Sequence, residues 1–136
     1  MSNEMMDLAS FGAGPTDGSF MEVCNPATGE PLLTSEGDAV GITLLGRDSE
    51  VYRKTQRAIT DRRLSKKGSS NLTAERLESE ANEILAKCTV SWVGMVYNGD
   101  SLECNYRNAK MLYDELPWLK EQVDEFVAER SNFLES

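Results

Sequence analysis

The chain contains no histidine, and that absence excludes more than any single residue present establishes. Without imidazole it lacks the usual general base near neutral pH, the usual activator of a nucleophile and the commonest transition-metal ligand. Cysteine is scarce as well. Cys24, Cys88 and Cys104 are odd in number and widely spaced, which fits neither a disulfide framework nor the paired CxxC ligands of a structural zinc site. They read as buried or half-buried thiols. No apolar run approaches the ~20 residues that span a bilayer. The N-terminus MSNEMMDLAS lacks the basic and apolar blocks of a secretion signal, so the chain is expected to stay in the cytoplasm in which it is made, away from membranes.

Phosphate-binding signatures are missing too. GxG occurs only at Gly12-Ala13-Gly14, with no strand before it and no helix after it, and no GxxxxGK, HExxH, GxSxG or EF-hand loop is present. Asn71-Leu72-Thr73 is a glycosylation sequon without a secretory context. The acidic groups Glu75, Glu78, Glu83, Asp114 and Glu115 fall on the exposed faces of expected helices. Acid–base catalysis needs two carboxyls in contrasting environments across a cleft, so these read as solubilising charge. No catalytic residue, metal ligand or cofactor site is expected, and the reading is non-enzymatic.

What is present is the composition of one soluble domain of 136 residues, with a formal net charge of −9. That charge is unevenly placed. Residues 1–46 carry seven acidic and no basic side chains, 47–67 carry eight basic and three acidic, and 68–136 carry six basic and thirteen acidic, so the three segments sum as −7 + 5 − 7 = −9. A basic helix therefore sits between two acidic segments. Arg53, Arg57, Arg62 and Arg63 on it could contact phosphates, but the chain is acidic and Tyr52 is the only interleaved aromatic. The favoured reading is a solvated face, or one meeting acidic segments of its own chain or of another copy, without nucleic acid.

Periodicity places the elements. Residues 1–19, rich in Gly, Ser, Asp and Met, have no period and read as a mobile arm before a single domain over 20–136. Residues 20–24 look like a strand and 25–30, NPATGE, like a turn; 31–34 can return as a second strand and 39–45 form a third candidate. From Asp48 the period becomes helical, with Val51, Tyr52, Thr55, Ala58 and Ile59 on the inward face. Gly68-Ser69-Ser70 is linker chemistry.

The longest helical pattern covers 72–96. Thr73 is its cap, Leu72 can staple onto Leu77, and Leu77, Ala81, Ile84, Leu85, Cys88, Trp92 and Val96 form its stripe before a stop near Gly94. The turn at 97–101 fits a hairpin or a loop. Asn105 caps a short helix burying Ala109, Leu112 and Tyr113. Pro117 opens the last helix, whose stripe is Leu119, Val123, Phe126, Val127 and Phe133. The expected fold is α+β: a small N-terminal antiparallel hairpin or three-strand sheet over 20–46, packed on about four α-helices over 47–136.

Apolar groups near chain ends and breaks are the candidates for binding a partner helix: Trp92, Val93, Met95, Val96, Tyr97, Trp118, Phe126 and Phe133, with Leu134 beside them.

The strings GRDSEVYR at 46–53, LTAE at 72–75, NYRNA at 105–109, LPWLKEQVD at 116–124 and NFL at 132–134 together resemble tail assembly chaperones encoded in the tail gene clusters of long-tailed bacteriophages. The resemblance covers about residues 40–136. It implies a chaperone that binds the helical, aggregation-prone tape measure protein in the host cytoplasm and is displaced as tail tube protein polymerises around it. Self-association as a homo-oligomer fits the charge segments. The resemblance assigns no binding residue position by position. The alternatives are a structural tail or neck protein of the virion, and an acidic phage protein that inhibits a host nucleic-acid enzyme.

Overall fold

The computed structural model describes residues 7–11, 17–65 and 72–134. Strand β1 (Ser19–Glu22) pairs antiparallel with β2 (Gly41–Leu44), Met21 opposite Ile42. Strand β2 pairs antiparallel with β3 (Thr89–Val93), Ile42 opposite Trp92, with a bulge between Thr43 and Leu44. The period of two sends Met21, Ile42 and Leu44 into the core and leaves Phe20 and Val93 exposed on the other face. On that face the Phe20 ring lies across Gly41, where a Cβ would come within 2.1 Å of the ring.

Among the described residues, four α-helices complete the α+β fold: α1 (Glu50–Ser65), α2 (Ala74–Lys87), α3 (Tyr106–Glu115) and α4 (Pro117–Ala128). Their starts follow the sequence. The Tyr52 N–H donates to Ser49 Oγ at 3.2 Å, Arg76 N–H to Thr73 Oγ1 at 3.1 Å and Asn108 N–H to Asn105 Oδ1 at 2.8 Å, each satisfying a donor the helix itself cannot. Pro117 takes the first turn of α4. Leu85, Leu112, Leu119, Val123 and Val127 from three of these helices meet the inner sheet face, each at most 2% exposed. At ~1.5–3 kcal/mol per buried aliphatic side chain, this layer is what holds the fold together.

The structure departs from the expected pattern in three places. The long helix over 72–96 is instead a helix of 14 residues followed by β3. Of the expected stripe, Leu85 and the capping Cys88 are buried and Ala81 and Ile84 half-buried, whereas Leu77, like Leu72, is exposed, and Trp92 and Val96 lie on strands. Thr89 marks the break: its Oγ1 donates back to the Leu85 carbonyl at 2.9 Å, and the run Thr-Val-Ser-Trp-Val has β-branched and aromatic residues that fit the open edge of β2.

Consequently the third strand comes from the C-terminal side of α2 and not from 31–34, which makes only the isolated bridges Cys24↔Pro31 and Leu33↔Ala39. Strand and helical parts therefore interleave and do not divide at residue 46. A second hairpin, β4 (Val96–Tyr97) with β5 (Asp100–Ser101), turns through Asn98 and Gly99, both at positive φ.

The third departure is α1. Of its expected inward face only Ile59 is buried; Tyr52 and Thr55 are half-buried, and Val51 and Ala58 are exposed. Of the arm expected over 1–19, residues 1–6 and 12–16 lie outside the described residues, as does the linker at 68–70; Leu8–Phe11 forms a 3-10 turn and Ser19 already belongs to β1. Among the described residues, no helix is long and apolar enough to cross a membrane.

Candidate functional site

After β3 the chain turns sharply at Gly94, with φ at +74°. A Cβ there would sit 2.8 Å from the Thr34 methyl and 3.1 Å from a Val40 methyl, so the 31–40 loop and the β4–β5 hairpin approach each other only over a glycine. Gly94→Ala is expected to cost about 2 kcal/mol, from the left-handed backbone and the crowding together. Chemical denaturation of the variant measures it.

The two segments and the start of α4 form the walls of an apolar groove of about 550 Å³. Leu32, Leu33, Val40, Met95, Val96, Tyr97, Leu102, Leu116 and Trp118 line it, with Val23, Leu112 and Leu119 from the core at its floor. That volume falls among those of ligand and peptide pockets. Its walls are fixed by hydrogen bonds. Trp92 Nε1–H donates to the Leu102 carbonyl at 2.8 Å, and Leu102 N–H to the Met95 carbonyl at 2.9 Å. Gln122 holds the chain at Cys24 from both sides, accepting from its N–H at 2.9 Å and donating to its carbonyl at 2.8 Å. The chain at Cys24, Met95 and Leu102 is thus tied to neighbouring strands and helices before any partner arrives.

Trp118 is also a wall of a second, shallower concavity of about 550 Å³, where Glu22, Glu121 and Glu125 accompany Met21, Pro26 and Phe126. One half-buried indole therefore separates an apolar groove from an acidic one.

The candidates singled out in the sequence divide accordingly. Met95, Val96, Tyr97 and Trp118 converge on the groove, and Phe126 lines the acidic concavity. Val93 is exposed on the outer sheet face. Trp92 lines neither concavity; its half-buried indole is used in pinning β3 to Leu102. Phe133 does not belong to an interface. It is 8% exposed, packs edge-on against Phe126 at 5.4 Å and fills the space beside Gly46 that a side chain there would need. Leu32, Leu33, Val40 and Leu116 belong to the groove and were not singled out, because residues in irregular segments carry no period that marks them.

The basic helix also divides. Arg53 and Arg57 are exposed. Arg62 and Arg63 turn back onto α2, where Arg62 meets Glu83 at 3.0 Å and Arg63 Nε donates to Glu80 at 3.1 Å. Arg76 Nε lies 3.5 Å from the same Glu80 carboxylate. Glu80 is 6% exposed, and Glu83 is half-buried rather than on an exposed face. The Arg63 hydrogen bond, with Arg63 and Arg76 charges beside it, holds the Glu80 carboxyl below its ordinary range despite burial. Glu80 lines neither concavity, and a carboxylate kept ionised by Arg63 and Arg76, with Arg62 3.9 Å away, is an ion-pair centre for joining helices. The i,i+4 spacing of Arg76 and Glu80 was legible; burial of the carboxylate was not.

The thiols occupy different settings. Cys88 is fully buried, and desolvation pushes its pKa up to about 12; Cys24 and Cys104 are half-buried. At pH 8 almost none of Cys88 is thiolate, the form that reacts. A short iodoacetamide pulse on the native chain is expected to leave Cys88 unmodified and to label it fully in denaturant, read by peptide mass spectrometry. Among the described residues, no three His, Cys, Asp or Glu side chains are grouped as a metal site.

Fold and site together define a class: a small α+β domain presenting a preformed apolar groove beside acidic surface. Compared with protein-family models, with curated proteins and with solved structures, the chain matches none.

Proposed function

We propose that this chain is a tail assembly chaperone of a long-tailed bacteriophage: a non-enzymatic protein that acts in the host cytoplasm, binds the tape measure protein while the tail is built, keeps it soluble, and yields it to tail tube protein as the tube polymerises. The single observation that carries the reading is the apolar groove around Met95, Val96, Tyr97 and Trp118, because it leaves part of the helical and hairpin apolar surface unconsumed by the chain's own core. A holdase needs such a surface, and large apolar side chains at a groove are the usual anchors of a bound helix. The sequence resemblance over residues 40–136 points the same way.

The net charge of −9 suits a protein that must remain dissolved while holding an aggregation-prone partner. Homo-oligomers would array several grooves along an extended client, and the exposed face of α1, with Arg53, Lys54 and Arg57, offers cations for contact between copies.

Co-expression of this chain with the tape measure protein of its gene neighbourhood tests the reading. The large protein is expected in the soluble fraction only when this chain is present, and equal solubility without it would overturn the proposal. Abundant peptides from this chain in purified virions would instead make it a structural tail protein.

A further inference from the structure

The groove is apolar inside, and the chain around it carries charge of one sign. Its walls come from residues 23–40, 94–102 and 112–119. These three segments hold six acidic residues, Glu30, Glu36, Asp38, Asp100, Asp114 and Glu115, and no lysine or arginine. All six are exposed. Glu36 and Asp38 stand on the turn that continues the wall from Thr34 and Ser35, a turn closed by Thr34 N–H to the Asp38 carbonyl at 2.7 Å. Asp100 sits opposite Tyr97 in the hairpin, and Glu115 precedes Leu116. Beyond Trp118, the second concavity adds Glu22, Glu121 and Glu125. Lys110, two residues before the third segment, pairs with Asp114 at 2.8 Å, and Lys120 follows that segment, so the field at the groove comes from the other five carboxylates.

Such an arrangement selects by charge as well as by shape. Carboxylates around a low-dielectric cleft attract a cationic segment and repel an acidic one, and they do so at distances up to about a Debye length, ~10 Å at 0.1 M salt. We propose that the groove takes a polypeptide segment whose apolar anchors are flanked by lysine or arginine, supplied by another protein. This deepens the chaperone reading and rests on it: it states which stretches of a client would be held.

A second copy of this chain is the other basic partner available, through α1. Its exposed face carries Arg53, Lys54 and Arg57, but its well-exposed aliphatic groups are Val51 and Leu64, thirteen residues apart. Thirteen residues of helix span ~20 Å, so α1 cannot set two anchors a turn apart in one groove.

The experiment uses the full chain and three labelled amphipathic peptides of about 18 residues, sharing leucines at positions i, i+3 and i+7, with flanks of lysine and arginine, of glutamine, or of glutamate. Fluorescence anisotropy is expected to give the basic peptide an affinity at least about tenfold above the acidic one, with the gap closing between roughly 0.05 and 0.5 M salt. The double variant E36K/D38K, both positions exposed on a turn, is expected to lose the preference while keeping the glutamine peptide's affinity. Equal binding of all three peptides, or a preference that salt leaves unchanged, overturns the charge inference and leaves the groove reading standing. Failure of all three to bind overturns both. A self-association seen by sedimentation that the basic peptide displaces and that Arg53→Glu with Arg57→Glu abolishes overturns it in favour of a second copy seated in the groove.

Discussion

Trp118→Ala is expected to leave the fold intact and to remove most of the affinity for a client. The indole is half-buried at the first turn of α4 and forms the wall common to both concavities, so truncation merges and flattens them. Central aromatic anchors of this kind cost 2 kcal/mol or more on truncation, roughly a 30-fold loss in affinity. Trp92→Ala should behave in the opposite way. Trp92 faces Ile42 across the sheet, and its N–H reaches the Leu102 carbonyl. Removing it opens space behind β3 and leaves that carbonyl without its donor, at about 2–3 kcal/mol, less than a fully buried tryptophan because this one is half-buried. Far-UV circular dichroism with urea denaturation, run beside a peptide-binding assay, separates the two. An unfolded Trp118 variant, or a Trp92 variant of wild-type stability, would contradict the assignment.

The second large effect concerns α1. Ile59 is its one buried residue and Tyr52 packs half-buried on the core, little apolar surface for sixteen residues of helix, so much of the attachment of its C-terminal half falls to Glu80 and Glu83 of α2 meeting Arg62 and Arg63. Breaking a fully buried ion pair from one side costs ~3–5 kcal/mol. Here the three guanidiniums are 27% to 46% exposed and can turn to water, so Glu80→Ala should cost about 2 kcal/mol. The cost should appear locally. Hydrogen exchange in α1 is expected to speed up by one to two orders of magnitude at that ~2 kcal/mol, while amides of the sheet and of α3 keep their protection. Uniform acceleration everywhere would contradict a local role.

The same contact sets a pH dependence. The Glu80 carboxyl is held below its ordinary value of 4.5, so its contribution is complete above that pH and is lost as pH falls through the depressed folded value. Acid, and high salt for the partly exposed Arg62–Glu83 pair, should therefore free α1 first. Hydrogen exchange of α1 at pH 3 and at pH 6 gives the comparison.

Local chemistry was legible wherever a single residue decides a local bond. Thr73, Asn105, Ser49 and Pro117 each start a helix where their side chains or ring require it; the stripe of α3 buries the residues its spacing names, and that of α4 buries Leu119, Val123 and Val127 while Phe126 stays half-buried. The groove was half legible. Met95, Val96, Tyr97 and Trp118 were conspicuous as large apolar groups at chain breaks, but Leu32, Leu33 and Val40 come from a loop without period. Phe133 shows the limit from the other side: it lies beyond the end of α4, after a 3-10 turn at Arg130–Asn132, and not on the helical stripe, and its burial follows from the space left beside Gly46 and from its contact with Phe126.

By itself, then, the sequence determined the α+β class, the helix starts, the exclusion of imidazole chemistry and the one-signed charge of the segments that became the groove's walls, because each of these depends on residue identity or on neighbours within a turn. Tertiary structure decided the rest. A run of Thr, Val, Ser and Trp continues a helical stripe as readily as it forms a strand until the free edge of β2 is beside it, and Glu80 looks like any exposed helix carboxylate until Arg62 and Arg63 fold back over it. Both outcomes turn on contacts between residues far apart in the chain, whose energies no local spacing records.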